Sequence, residues 1–285
     1  MNMILKNKNA VIYGAAGSLG STVAKALASE GAQVFLAGRT VGALKIIADE
    51  IIAAGGLAHV DTVDALKENQ INQHLENVAH TAGTVDICFS AIDFQPVQNI
   101  GLVEMSADDF MRPITIAMQS QFLTSMAAAK IMMRQRSGVI LSLTATPGGI
   151  GYPYTGGFAP ACAAMETFSK NLAAEIGISG VRVVNIRSAG SPDSKVFKDA
   201  IDGNPSAMEP ILQSMEDDTM LKKLPLTVDI ANVAVFLSSE MARSITGVTV
   251  DVTAGTTSGL NYKVARDSAQ EGRGKFSSGK IVKNT

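Results

Sequence analysis

The chain has 285 residues, 46% of them apolar, and a formal charge of −2. That charge gives no global pull toward nucleic acid or an anionic membrane. No run of about 18 apolar residues is present to span a bilayer, while the apolar share suffices for a sizeable core.

Short apolar, β-branched runs alternate with longer helical patterns. Residues 10–13 predict a first strand, followed by a glycine turn and a helix to about Ser29. Leu19, Val23, Ala26 and Leu27 mark that helix's apolar face. Residues 33–37 predict a second strand. Residues 41–54 predict a helix with Leu44, Ile47, Ala48 and Ile51 on one side, stopped by Gly55 and Gly56. A third strand is expected at 57–60, a polar helix at 66–81 and a fourth strand at 85–91. Ser106 opens a long helix to about Gln135, with Asp109 three residues on in a capping-box-like spacing. A fifth strand at 139–143, a helix at 159–176, a sixth strand at 181–186, a helix at 228–237 and a seventh strand at 248–252 complete the series.

Strands alternating with helices imply βαβ units and a parallel sheet, and right-handed crossovers place helices on both faces. The expected fold is α/β: a Rossmann-like, doubly wound parallel sheet of about seven strands in a three-layer αβα sandwich. Residues 1–260 are expected to form one domain. Within it, residues 188–225 are a long polar insert with Pro192, Pro205, Pro210, Met208, Met215 and Met220. Residues 261–285 read as a polar, flexible tail. The first nine residues lack the apolar core of a signal peptide. Cys88 and Cys162 sit in apolar surroundings and read as buried thiols. His59, His74 and His80 show no zinc-ligand spacing with them. A cytoplasmic, metal-free protein is expected.

The first strand runs into Gly14-Ala15-Ala16-Gly17-Ser18-Leu19-Gly20. Glycines at such a turn allow close backbone approach to a pyrophosphate, and the following helix N-terminus supplies free N–H groups and a favourable dipole. The second strand ends at Gly38-Arg39-Thr40. An acid there would bind both ribose hydroxyls of NAD; none is present, and Arg39 can pair with a 2′-phosphate. NADP is therefore favoured over NAD.

From Lys6 to about Gly255 the chain resembles the short-chain dehydrogenase/reductase family. Its glycine loop is similar to the family's Thr-Gly-x-x-x-Gly-x-Gly: Gly14 and Gly20 match, while the middle glycine falls at Gly17 and Ser18 takes its usual place. The resemblance implies a cofactor set of Gly14, Gly17, Ser18, Leu19, Gly20 and Arg39, with Asp64 and Ala65 at the adenine. Ser90-Ala91-Ile92-Asp93 occupies the place of the family's Asn-Asn-Ala-Gly, so Ala91 joins that set and Asp93 replaces a glycine near the cofactor. Ile245-Thr246-Gly247 and residues 251–255 resemble the family's last strand.

The family's catalytic asparagine would fall near Ala117, its serine at Ala145, and its Tyr-x-x-x-Lys at Phe158 and Cys162. None of the four matches. In carbonyl reduction the tyrosine gives the proton, the lysine lowers its pKa, and the serine orients the carbonyl. Phe158 has no proton to give, and a positioned general acid is worth roughly 10²–10⁴-fold. Candidate substitutes are Thr144, next to the lost serine, and Tyr152 or Tyr154 in the loop 148–157. Arg187 is a candidate for an anionic substrate or phosphate, Asp93 for acid/base work. Tyr13 is expected to pack at the glycine loop. The resemblance also makes 188–225 a substrate-covering segment and implies a homodimer or homotetramer through the two long Ala- and Met-rich helices. Three functions stay open: an atypical NADP-dependent oxidoreductase acting on a small molecule, a catalytically silent dinucleotide-binding or partner-subunit protein, and a non-redox cyclase or lyase.

Overall fold

The computed structural model describes residues 3–259. The expected tail at 261–285 lies outside the described residues. Seven strands form one sheet: β1 (Asn9–Tyr13), β2 (Gln33–Gly38), β3 (Leu57–Thr62), β4 (Ile87–Ser90), β5 (Gly138–Ala145), β6 (Val181–Ser188) and β7 (Thr249–Val252). All pairs are parallel, in the order β3-β2-β1-β4-β5-β6-β7. The direction of winding reverses between β1 and β4, the place where such sheets open a crevice beyond their carboxyl ends.

Eight helices accompany the described sheet: α1 (Ser18–Ser29), α2 (Val41–Ala53), α3 (Glu68–Ala82), α4 (Ala107–Gln135), α5 (Phe158–Ile176), α6 (Lys195–Gly203), α7 (Pro205–Asp217) and α8 (Thr227–Ser238). Strand β1 is buried throughout, and its side chains alternate between two cores. Ala10 and Ile12 pack with Val23 and Leu27 of α1, Leu44 and Ile51 of α2 and Ile230 of α8. Val11 and Tyr13 pack with Ile71 and Leu75 of α3, Met132 of α4 and Leu172 of α5. A sheet covered on both faces has near-continuous apolar strands, which is why the runs read so clearly in sequence. Gly55, with φ of +86°, turns the chain after α2 in a conformation other residues adopt at a cost.

Several boundaries differ from expectation. β4 is shorter than 85–91, and β5 runs on to Ala145. Pro160 biases Ala159 away from helical geometry in sequence, yet α5 begins at Phe158. Pro160 falls in the first turn, where its missing N–H leaves no bond unmade, and the buried Ala161, Cys162 and Met165 hold the helix in place. The Ser106 cap forms: its hydroxyl accepts from Asp109 N at 3.1 Å and donates to the Asp109 carboxylate at 2.8 Å. The insert at 188–225 is more ordered than its polarity suggested, because it contains α6 and α7. Asn204 caps α7 by accepting from Ala207 N, and Pro205 is its first residue.

Candidate functional site

At the switch point the backbone itself forms the cradle. Gly14 has φ of +76°, and a Cβ there would lie 2.3 Å from the Ala91 carbonyl oxygen. Ala91 N in turn donates to Tyr13 O at 3.0 Å, and Gly14 N to Ala37 O at 3.0 Å. The turn between β1 and α1 is thus pressed against the end of β4, which places Ala91 at the loop. Gly20 closes the other side, since a Cβ there would meet Gly14 O at 2.3 Å. Gly17 differs: its φ is −76°, and a Cβ would find only Gly14 O, at 3.4 Å. It is the N-cap of α1, and no side chain caps that helix. The first-turn N–H groups of α1 therefore face outward without side-chain acceptors, the arrangement that suits an anion.

Ser18 is already engaged, accepting from Lys195 N at 2.8 Å, so the first residue of α6 sits against the loop. Leu19 packs partly into the core. Arg39 is exposed just beyond β2, and among the described residues its side chain makes no hydrogen bond or ion pair. Asp64 accepts from Leu66 N at 3.0 Å in a local turn, and Ala65 packs against the α3–α4 core. Asp93 likewise closes a turn, accepting from Gln95 N at 3.0 Å.

The carboxyl ends of β5, β6 and β7 carry a buried polar network. Thr144 is 3% exposed. Its hydroxyl donates to Glu166 Oε1 at 2.9 Å and accepts from Asn185 Nδ2 at 2.7 Å. Ser142 donates to Asn185 Oδ1 at 2.8 Å. Arg187 donates Nε to Glu166 Oε1 at 2.9 Å and Nη2 to Glu166 Oε2, a bidentate pair. Its Nη1 reaches Asp251 Oδ2 at 3.1 Å. The Glu166 contact, with Asp251 beside it, holds the guanidinium pKa above its ordinary value despite partial burial. Arg187, a candidate for an incoming anion, is thus neutralised by two carboxylates of its own chain. Gly148 and Gly149 lie over the cluster, where added Cβ atoms would meet Glu166 and Arg187 at 2.8 and 2.4 Å.

Glu166, Asn185 and Asp251 were not singled out in the sequence. One signal was present: Glu166 falls on the stripe of α5 with Cys162, Met165 and Ser169, all buried. An acid on an apolar stripe calls for a buried partner.

The remaining candidates lie apart. Among the described residues no hydrogen bond joins either loop tyrosine to Thr144. Tyr154 is 62% exposed with φ of +61°, and its carbonyl accepts from Asn99 N at 2.8 Å. Tyr152 is 38% exposed; partial burial, and then Asp218, push its hydroxyl pKa up. Tyr13 is buried beneath the loop and meets His74. Ala117, Ala161, Cys162, Met165 and Phe94 form a small apolar cluster, with Ala145 and Phe158 packed on it. Burial pushes the Cys162 thiol pKa up to about 12, so it carries no charge at neutral pH. Both cysteines are free and buried, as expected.

A doubly wound parallel sheet with a glycine-rich loop pressed into its switch point defines a Rossmann-like α/β protein. The family described as enoyl-(acyl carrier protein) reductase matches residues 14–257. The 3-oxoacyl-(acyl-carrier-protein) reductase FabG of Aquifex aeolicus is 26% identical over 262 residues, spanning 90% of this chain and 99% of that protein. The 7alpha-hydroxysteroid dehydrogenase of Escherichia coli is 29% identical over 266 residues, 91% of this chain and 98% of its own. In fold, the crystal structure of levodione reductase superposes with a TM-score of 0.83 at 21% identity, covering 90% of this chain and 100% of that one. The chain belongs to the short-chain dehydrogenase/reductase family of oxidoreductases, whose members bind a nicotinamide dinucleotide. No helix among the described residues is long and apolar enough to cross a membrane.

Proposed function

We propose that this chain is an NADP(H)-binding oxidoreductase with an atypical active site, acting on a small carbonyl-type molecule. One observation carries the reading: the glycine cradle at Gly14 and Gly20, with Arg39 exposed at the end of β2 and no acid at that strand end. The residues fit the cofactor. A Cβ at Gly14 would fill the cradle, and the uncapped first turn of α1 offers N–H groups to a pyrophosphate. Gly14, Gly17, Ser18, Leu19 and Gly20 would hold the pyrophosphate, Arg39 the 2′-phosphate, Asp64 and Ala65 the adenine, and Ala91 the floor. The reduced dinucleotide supplies a hydride when bound. The protein is proposed as a single domain with residues 188–225 as its substrate cover. A homodimer or homotetramer is proposed through α4 and α5, where exposed Phe122 lies 6.1 Å from Phe168.

The chemistry at the reacting centre is proposed to differ from the family's. Ala117, Ala145, Phe158 and Cys162 stand where its asparagine, serine, tyrosine and lysine are expected. Of the substitutes, Thr144 has donor and acceptor roles already taken inside the sheet. Tyr152, at 38% exposure against 62% for Tyr154, is the less solvated of the two and the first candidate for a donor, although its raised hydroxyl pKa makes it a weaker acid than an ordinary tyrosine. The apolar cluster around Phe158 and Cys162 favours a second reading, a catalytically silent dinucleotide-binding or partner-subunit protein.

Calorimetry of NADP(H) and NAD(H) with the wild-type protein tests the cofactor. NADPH is expected to bind more tightly than NADH. Arg39→Ala is expected to weaken NADPH by about ten- to a hundredfold, the worth of a charged hydrogen bond, and to leave NADH nearly unchanged. Equal loss for both dinucleotides would remove Arg39 from the 2′-phosphate. The names of the reductase and dehydrogenase relatives make ketones and enones the first substrates to try. Turnover of any of them with NADPH is expected on the first reading; tight binding with no turnover across the panel selects the second.

A further inference from the structure

Tyr13, Ala37 and Asp61 form one cross-strand row, Tyr13 paired with Ala37 and Ala37 with Asp61. Their side chains share the face covered by α3. Ala37 is small and fully buried, and His74 of α3 crosses it to touch both neighbours. Its Nδ1 lies 3.0 Å from the Tyr13 hydroxyl, and its Nε2 lies 3.4 Å from Asp61 Oδ2. That second contact is long and off the line of a good hydrogen bond, and the buried Nε2 has no other partner among the described residues. An ionised carboxylate only accepts, so the network assigns the ring hydrogen to Nε2 and makes Nδ1 the acceptor of the Tyr13 proton. Burial holds the Tyr13 hydroxyl well above its ordinary pKa, which keeps it a donor. The contact with His74 holds the Asp61 carboxyl below the usual carboxylate range, so Asp61 is charged at neutral pH.

The row lies at the carboxyl end of the sheet. Asp61 pairs with Ala37, two residues before Arg39, and Val63 N donates to Gly38 O at 3.0 Å. A negative charge therefore stands one strand away from the end of β2, where the 2′-phosphate reading requires none. Asp64, the nearby acid, is committed to its own turn.

We infer that His74 is a specificity-determining residue: by drawing Asp61 toward α3 it removes an acid from the ribose end of the site, and so sets the preference for NADP over NAD. This rests on the cofactor reading above. Tyr13 positions the histidine ring from behind. His74 touches neither the dinucleotide nor the reacting atoms, so it acts only through Asp61.

The test is the ratio of NADPH to NADH affinity, measured by calorimetry without any substrate. His74→Leu releases Asp61 and is expected to lower the ratio by about tenfold, as one partly screened like charge would. His74→Gln can donate to Asp61 and accept from Tyr13, and is expected to keep the wild-type ratio. Asp61→Asn in the His74→Leu background is expected to restore it. Asp61→Asn alone, a change at a half-exposed position, keeps the question answerable if His74→Leu does not fold. It is expected to move the ratio by less than about threefold, within the range of surface charge effects. A tenfold rise with Asp61→Asn alone would mean that the acid already faces the ribose, and would overturn the inference. So would a wild-type preference for NADPH that His74→Leu leaves intact, or an equal shift with Leu and Gln. A wild-type protein that binds neither dinucleotide, or prefers NADH, overturns the cofactor reading itself and this inference with it.

Discussion

Replacing Arg187 by methionine is expected to destabilise the fold by about 3–5 kcal/mol, the usual result of removing one partner of a buried ion pair. The magnitude comes from what is left behind. The Glu166 side chain is 8% exposed and takes both of its strong donors from Arg187, keeping only the Thr144 hydroxyl. Asp251 loses its cation as well, but at 30% side-chain exposure it recovers much of its hydration. The measurement is urea or thermal unfolding of the single variant and of Arg187→Met/Glu166→Met. Buried pairs give little net stability over apolar residues of similar volume, so the double variant should regain most of the loss. A single variant within about 1 kcal/mol of wild type, the range of exposed pairs, would show that water or rearrangement already relieves Glu166.

Gly14→Ala is expected to damage both stability and dinucleotide binding, whereas Gly17→Ala should damage binding alone. At Gly14 the added Cβ would sit 2.3 Å from Ala91 O, at φ of +76°. Backbone strain of this kind costs about 1–3 kcal/mol before the clash is counted. Relief requires the turn to move off β4, which displaces the first N–H groups of α1. Losing two charged hydrogen bonds to a pyrophosphate corresponds to about a hundredfold or more in affinity. At Gly17 the φ of −76° suits any residue, and the Cβ would meet only Gly14 O at 3.4 Å. A methyl group there intrudes mainly on whatever lies over the loop. Thermal unfolding beside calorimetry separates the two effects. A stable Gly17→Ala protein with unchanged affinity would show that the ligand does not approach over that residue.

The inner strands β1, β2 and β4 are legible in the sequence because each is an apolar run buried along most or all of its length, whereas the edge strands β3 and β7 carry His59, Asp61 and Asp251 and bury no residue fully. The glycine loop is legible because the spacing of Gly14 and Gly20 reflects local backbone constraints. Helices α6 and α7 are not. Their residues include none that is fully buried, and Pro192, Pro205 and Pro210 read as loop punctuation, although Pro205 opens α7. In the sequence Arg187 is a lone charge at a strand end, a candidate for an anion. Its partners lie 21 and 64 residues away, on α5 and β7.

Composition, periodicity and the glycine spacing alone determined the doubly wound class, the alternation of strands and helices outside residues 188–225, and the position of the glycine loop. These depend on local propensity and on which residues must leave water, both of which act along the chain. The tertiary structure decided which polar groups meet. Thr144 meets Glu166 and Asn185. Arg187 meets the carboxylates of Glu166 and Asp251. His74 bridged Tyr13 and Asp61 across an alanine. Pairings of this kind depend on register and helix placement between distant segments, and the cost of burying a polar group without a partner selects among them only after the chain has closed.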